Sequence, residues 1–131
     1  MPKLSRKTRE LLEGKNFAYV ATVNRDGSPQ VTPVWIDTDG KSIFVNTALG
    51  RVKERNLARD PRVALAVFDF ANQYNGAFVR GRVIKTIRGK KAEDHIDHLS
   101  FKYTGNKKYA GRNRRERRVI LVIEPTSVSE R

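Results

Sequence analysis

Short alternating segments, set apart by turn residues, confine this chain to a small antiparallel sheet. Phe17 to Val23 alternates apolar and polar positions as a half-buried strand does, and NRDGS follows, with the Asp26-Gly27 pair that favours a tight hairpin. Gln30 to Ile36 reads as a second strand, Asp37 to Gly40 as a second turn and Lys41 to Asn46 as a third strand. Arg62 to Phe70, with its VALAVF run, is apolar enough to be buried on both faces. The polar loop ANQYNG leads into a long strand over Ala77 to Ile87, and Arg118 to Ile123 is the last. Helices lie between them. Ser5 can cap one that runs to Leu12 and stops at Gly14. A second, from Gly50 to Arg59, cannot pass Pro61. A third, from Lys90 to Tyr103, carries Ile96, Leu99 and Tyr103 at helical spacing. The expected architecture is mainly β with short helices, a six-stranded antiparallel barrel.

A chain of 131 residues has the length of one domain, 1–131, and cannot bury a second core. Cysteine is absent, which removes disulfides, thiolate metal sites and a cysteine nucleophile. The stretch MPKLSRKTRELLEG is too charged for a secretory signal. No apolar run reaches the ~18 residues a membrane helix needs, so a soluble cytoplasmic protein is expected. No Ser/His/Asp set, P-loop or GxGxxG motif occurs.

The net charge of +13 draws polyanions: nucleic acid, an acidic membrane surface or a small ligand with several negative groups. The basic residues concentrate in two places. In NTALGRVKERNLARDPR, Thr47 and Gly50 precede the second helix, and Arg51, Lys53 and Arg55 crowd its first turns. Cations at a helix N-terminus oppose its dipole, and a bound phosphate would resolve that conflict. A solvated basic face that binds nothing fits the same residues. The other cluster sets Lys102, Lys107, Lys108, Arg112, Arg114, Arg115, Arg117 and Arg118 against Glu116. In VRGRV, Arg80 and Arg82 share a strand face and could reach an anion, while Gly81 marks a bulge or a close backbone approach. His95 and His98 lie beside Glu93, Asp94 and Asp97, but such mixed faces are commonly solvated and no metal is expected. Asp26, Asp37 and Asp39 fit turn chemistry. Trp35 fits a core or interface position as well as a cofactor platform.

Read in order, SPQVTPVWID, IFVNTALGRVKERNLARDPRVALAV, VRGRV, HIDHLSFKYTG and RRVILVIEP resemble the pyridoxamine 5′-phosphate oxidase-like split-barrel superfamily. The most similar branch within it is the coenzyme F420-dependent flavin/deazaflavin oxidoreductases. The resemblance spans nearly the whole chain. It implies an FMN-binding split barrel and a homodimer with two cofactor sites at the subunit interface. It places Gln30, Val31, Thr32, Pro33, Val34 and Trp35 along the isoalloxazine-type ring. It gives Asn46, Thr47, Ala48, Arg51, Val52 and Lys53 the phosphate end. Tyr74 and Arg80 join the expected cofactor set, although NQYNG replaces the bulkier aromatic and basic stretch that relatives carry before VRG.

The function that follows is hydride transfer between reduced coenzyme F420 and a small organic substrate. A deazaflavin joins an apolar ring to a phosphodiester and an oligoglutamate tail, so surplus cations favour it over FMN. The cofactor carries the chemistry, which accounts for a chain without an acid–base constellation; no catalytic side chain is assigned. An FMN enzyme and a non-catalytic flavin or tetrapyrrole carrier are the alternatives. A nucleic-acid-binding barrel is a third, with Phe101, Tyr103 and Tyr109 as stacking candidates beside the second basic cluster. Phe101 and Tyr103 also fit the core face of a helix, and that cluster matches no nucleic-acid motif, so nucleic acid is not the expected partner.

Overall fold

The structure is a computed structural model that describes residues 3–131. Its strands are β1 (Ala18–Val23), β2 (Pro29–Val34), β3 (Ile36–Thr38), β4 (Ile43–Ala48), β5 (Arg62–Asp69), β6 (Asn72–Arg88) and β7 (Arg118–Glu130). The helices are α1 (Arg6–Glu13), α2 (Val52–Arg59) and α3 (Lys90–Thr104). All strand pairings are antiparallel in one sheet, ordered β2-β1-β5-β6-β7-β4-β3. No helix among the described residues is long and apolar enough to cross a membrane.

The sheet has seven strands rather than six because the segment Gln30 to Ile36 changes partner at Trp35. Val34 pairs with Ala18 on one edge of the sheet, and Ile36 pairs with Val45 on the other. One residue therefore carries the chain between the two edges. The barrel is closed there by covalent continuity rather than by a hydrogen-bonded seam, which is the split. Alternation of side chains does not register such a change of partner, so one strand was expected where two are found.

The interior is filled by Val20, Val34, Ile36, Val45, Leu65, Val67, Val79, Leu121 and Ile123, with Leu11 and Leu12 of α1 packed against them. Full burial of a leucine such as Leu12 contributes about 1.5–3 kcal/mol. Helix α1 is capped as expected: the Ser5 hydroxyl accepts from the Thr8 N–H at 3.1 Å, and the Gly14 N–H bonds the Glu10 carbonyl. β5 is not buried on both faces. Val63, Leu65 and Val67 point inward, while Ala64, Ala66 and Phe68 stay partly open to solvent.

ANQYNG is not a loop. β6 begins at Asn72, and Asp69 pairs with Asn72 across a tight turn. β7 also runs past Ile123 to Glu130, passing Pro125 where the β6–β7 register shifts. Gly81 lies at that irregularity, and a Cβ on it would stand 2.5 Å from the Glu124 carbonyl oxygen, the close approach its place in VRGRV implies. Helix α3 lies over the crossover. Lys102 Nζ donates to the carbonyls of Leu12 and Ile36 at 2.7 and 2.8 Å. The Tyr103 hydroxyl accepts from the Ile36 N–H and donates to the Asn16 carbonyl.

Candidate functional site

The end of β4, the start of α2 and the start of β7 bring three cations together. Ala48 is the register partner of Arg118, and the Leu49 N–H bonds the Arg117 carbonyl, so the chain leaves the sheet beside the second basic cluster. Gly50, at φ +88°, turns it into α2. Glu54 in the first turn of α2 accepts from the Gly50 N–H at 2.8 Å and partly answers the helix dipole. Arg51 forms a two-pronged pair with Glu116 at 3.0 and 3.1 Å. Arg118 is buried; its Nε donates to Asn46 Oδ1 at 2.9 Å, and its guanidinium lies over the Tyr109 ring at 5.5 Å.

Two groups here lack partners among the described residues. Lys53 makes no hydrogen bond or ion pair among the described residues. Burial, and then the charges of Arg51 and Arg118, hold its ammonium below the ordinary lysine pKa. Burial, reinforced by Arg51, also lowers that of Arg118, whose Nη1 is buried with no acceptor. A buried donor left unpaired costs about 1–3 kcal/mol, and like charges pressed together add to that. An anion seated between Lys53 and Arg118 would offset both. The residues present therefore fit a phosphate.

The expected ring segment meets this cluster through an aromatic bridge. Trp35 stacks flat on Tyr103, with centroids 5.3 Å apart, and meets Tyr109 edge-on at 5.9 Å. Tyr109 in turn lies beneath Arg118, so Trp35, Tyr109 and Arg118 form one continuous run of contacts. β2 is an edge strand carrying Pro29 and Pro33. Val31 and Pro33 face out, and Val34 faces in. Thr32 keeps a buried hydroxyl without a partner. Gln30 accepts from the Thr22 hydroxyl, which accepts from Asn56 of α2, so β2, β1 and α2 are tied together.

Other expected site residues serve differently. Asn46 is enclosed by Ala92, His95 and Arg118 and has no group free for a ligand. Thr47 has an unpartnered buried hydroxyl but lies on the face of β4 opposite Asn46 and Ala48. Ala48 is fully buried and Val52 is exposed at the first turn of α2. Tyr74 sits at the β5–β6 hairpin tip, under the Arg131 guanidinium at 5.3 Å, at the end of β5 away from α2. Arg80 bonds Ser127 on the outer face of the sheet. There it lines two adjoining grooves of about 500 and 530 Å³, which share Ala21, Ala64, Arg80 and Ser127.

Arg118 and Tyr109 were not singled out for the site from the sequence. Arg118 was one cation in a crowded cluster; its place opposite Ala48 was the signal, and that required the β4–β7 pairing. The second cluster is no continuous patch: Arg112 pairs with Glu93 and Asp97, and Lys102 is spent on carbonyls. Phe101 is exposed rather than core. His95 is not solvated, and Asp37 lies in β3 and meets it, beyond any turn role. Asp26 and Asp39 do act in turns, accepting from the N–H groups of Ser28, and of Lys41 and Ser42.

Among solved structures the chain is similar to an F420 reductase, at 31% identity and a TM-score of 0.78, over 92% of this chain and 94% of that one. A conserved hypothetical protein of Mycobacterium tuberculosis matches at 23% identity and a TM-score of 0.76, covering 97% of this chain and 84% of the other. HupZ of Group A Streptococcus matches at 16% and 0.70, covering 97% and 93%, which speaks to the fold alone. Residues 4–131 match the family described as pyridoxamine 5′-phosphate oxidase. With the split sheet and these similarities in agreement, the chain belongs to the pyridoxamine 5′-phosphate oxidase family of the split-barrel superfamily.

Proposed function

We propose that this protein is an oxidoreductase that binds reduced coenzyme F420 and serves hydride transfer to a small organic substrate. The observation that carries the reading is Lys53: a half-buried ammonium, pressed by Arg51 and Arg118, with no counter-charge of its own among the described residues. Bound there, the deazaflavin supplies the hydride. Lys53 and Arg118 hold the phosphate, and Arg51 joins them at the cost of its exposed pair with Glu116. The edge strand β2 offers unpaired backbone groups to the ring, and Trp35 and Tyr109 wall off water on the side toward α3.

A homodimer completes the site in this reading. Tyr19, Val31 and Phe78 are exposed on the outer sheet face around the grooves that Arg80 lines, and a second copy would cover them. Tyr74, distant from α2 within one protomer, would then serve the partner's site.

FMN is the second reading, and the charge distribution separates the two. Arg25, Arg55 and Arg59 line a further cavity of about 660 Å³ on the flank of α2, where the carboxylates of an oligoglutamate tail would find cations. FMN has no such tail. Absorbance and fluorescence titration of the purified protein with coenzyme F420, FMN and FAD tests the reading. The expected result is tightest binding of F420, with the advantage over FMN shrinking as salt rises. Equal affinity for FMN in low salt would favour the FMN enzyme.

A further inference from the structure

Asn46 links Asp37 to Arg118 through a chain of hydrogen bonds. Its Nδ2 donates to the Ala92 carbonyl at 3.0 Å and faces His95 Nδ1 at 3.0 Å. Its Oδ1 accepts from Arg118 Nε at 2.9 Å. His95 Nε2 faces Asp37 Oδ2 at 3.2 Å. A backbone carbonyl can only accept and a guanidinium can only donate, so Asn46 has one satisfactory orientation. That orientation makes His95 Nδ1 an acceptor and puts the imidazole proton on Nε2, donated to Asp37.

The groups around His95 are few. Lys91, Asp94 and His98 of its own helix share a cavity with it. β3 contributes Asp37, which Lys102 also faces; β4 contributes Asn46 and the edge of Phe44; β6 and β7 contribute only Ile87 and Ile120. Beyond Asn46 stands Arg118.

We propose that His95 is a positioning residue that acts through Asn46 to aim the Arg118 guanidinium at the cofactor phosphate; this rests on the reading of the site given above. A second proton on His95 sets an N–H against the Asn46 amide NH₂. Rotating that amide would relieve the clash, but it turns the amide oxygen onto the Ala92 carbonyl and removes the acceptor that fixes Arg118. The aim of Arg118 therefore depends on a His95 Nδ1 that accepts from Asn46.

The test reads Arg118 directly, by NMR of the arginine Nε–H signals in the full-length apoprotein, and affinity by titration with coenzyme F420. In the wild type, a slowly exchanging Arg118 Nε–H is expected at pH 8. His95→Asn supplies an acceptor in place of Nδ1, so the signal should persist, with F420 affinity close to wild type at pH 8. His95→Leu leaves one Asn46 N–H without its acceptor and loosens the amide, so the Arg118 signal should exchange faster and F420 should bind about tenfold more weakly at pH 8, the scale of one charge-assisted hydrogen bond. An Arg118 signal indifferent to both substitutions overturns the relay and leaves the cofactor reading standing. F420 affinity that Lys53→Ala leaves unchanged overturns the cofactor reading and, with it, the purpose of the relay.

Discussion

Trp35 lies flat against Tyr103, with ring planes 6° apart and centroids 5.3 Å apart, at the one residue where the chain passes from edge to edge of the sheet. The stack is held from behind, since the Tyr103 hydroxyl bonds backbone groups of Asn16, just before β1, and of Ile36, the first residue of β3. Trp35 is therefore both a structural clamp and one wall of the proposed site.

Trp35→Ala should lower stability by about 2–4 kcal/mol, the range for losing a large aromatic side chain, whereas Trp35→Phe should cost about 1 kcal/mol. Urea denaturation followed by circular dichroism measures both. Because Trp35 is the only tryptophan, its fluorescence in the wild type should be quenched as a flavin-type ring binds beside it.

Lys53→Met should separate stability from binding. In the free protein the ammonium is disfavoured by burial and by Arg51 and Arg118, so its removal should raise stability by ~1 kcal/mol, as is common when a functional site is relaxed. The same substitution should weaken F420 binding by about 1.5–3 kcal/mol. Thermal unfolding with and without cofactor reads both effects.

Cofactor affinity should fall at alkaline pH earlier than an ordinary lysine allows. The depressed pKa of Lys53 in the free protein means that it deprotonates sooner, while a bound phosphate favours its charged form. Binding then takes up a proton above the free-protein pKa. Affinity should be level below that value and decline above it, by up to about tenfold per pH unit. In Lys53→Arg, charged throughout, the decline should vanish. Isothermal titration between pH 7.5 and 10.5 in two buffers of different ionisation enthalpy checks the slope and the proton uptake.

Much of the fold was legible where a local rule acts alone. Ser5 and Gly14 bound α1, Asp26-Gly27 makes a turn with Gly27 at φ +88°, and Pro61 follows the end of α2. Where partners distant in the chain decide, the sequence was mute. The break at Trp35 depends on which strands flank it, and the extension of β7 through Pro125 depends on a register shift against Gly81. The candidate site divided in the same way. Arg51 and Lys53 are visible as cations at a helix start, but Arg118 enters only through pairing with β4, and the enclosure of Asn46 only through the docking of α3.

The outer sheet face yields a prediction about assembly. Phe78→Glu, or Val31→Glu in the centre of the exposed edge strand, should convert the proposed dimer to monomer and weaken F420 binding together with it. Each side chain is substantially exposed in the single chain, so the fold should survive, with a change of no more than about 0.5 kcal/mol. Sedimentation equilibrium of the wild type showing a monomer at micromolar concentration would contradict the shared site.

The central claim is that Lys53, with Arg118 and Arg51, holds the phosphate of a deazaflavin cofactor. It is tested most directly by fluorescence titration of coenzyme F420 into the wild type and Lys53→Ala at low salt. The account predicts saturable binding by the wild type and a loss of about 1.5–3 kcal/mol in the variant, with unfolding temperature unchanged or raised. An unchanged affinity in Lys53→Ala, or no F420 binding by a wild-type protein that instead binds single-stranded nucleic acid with a steep salt dependence, would contradict it.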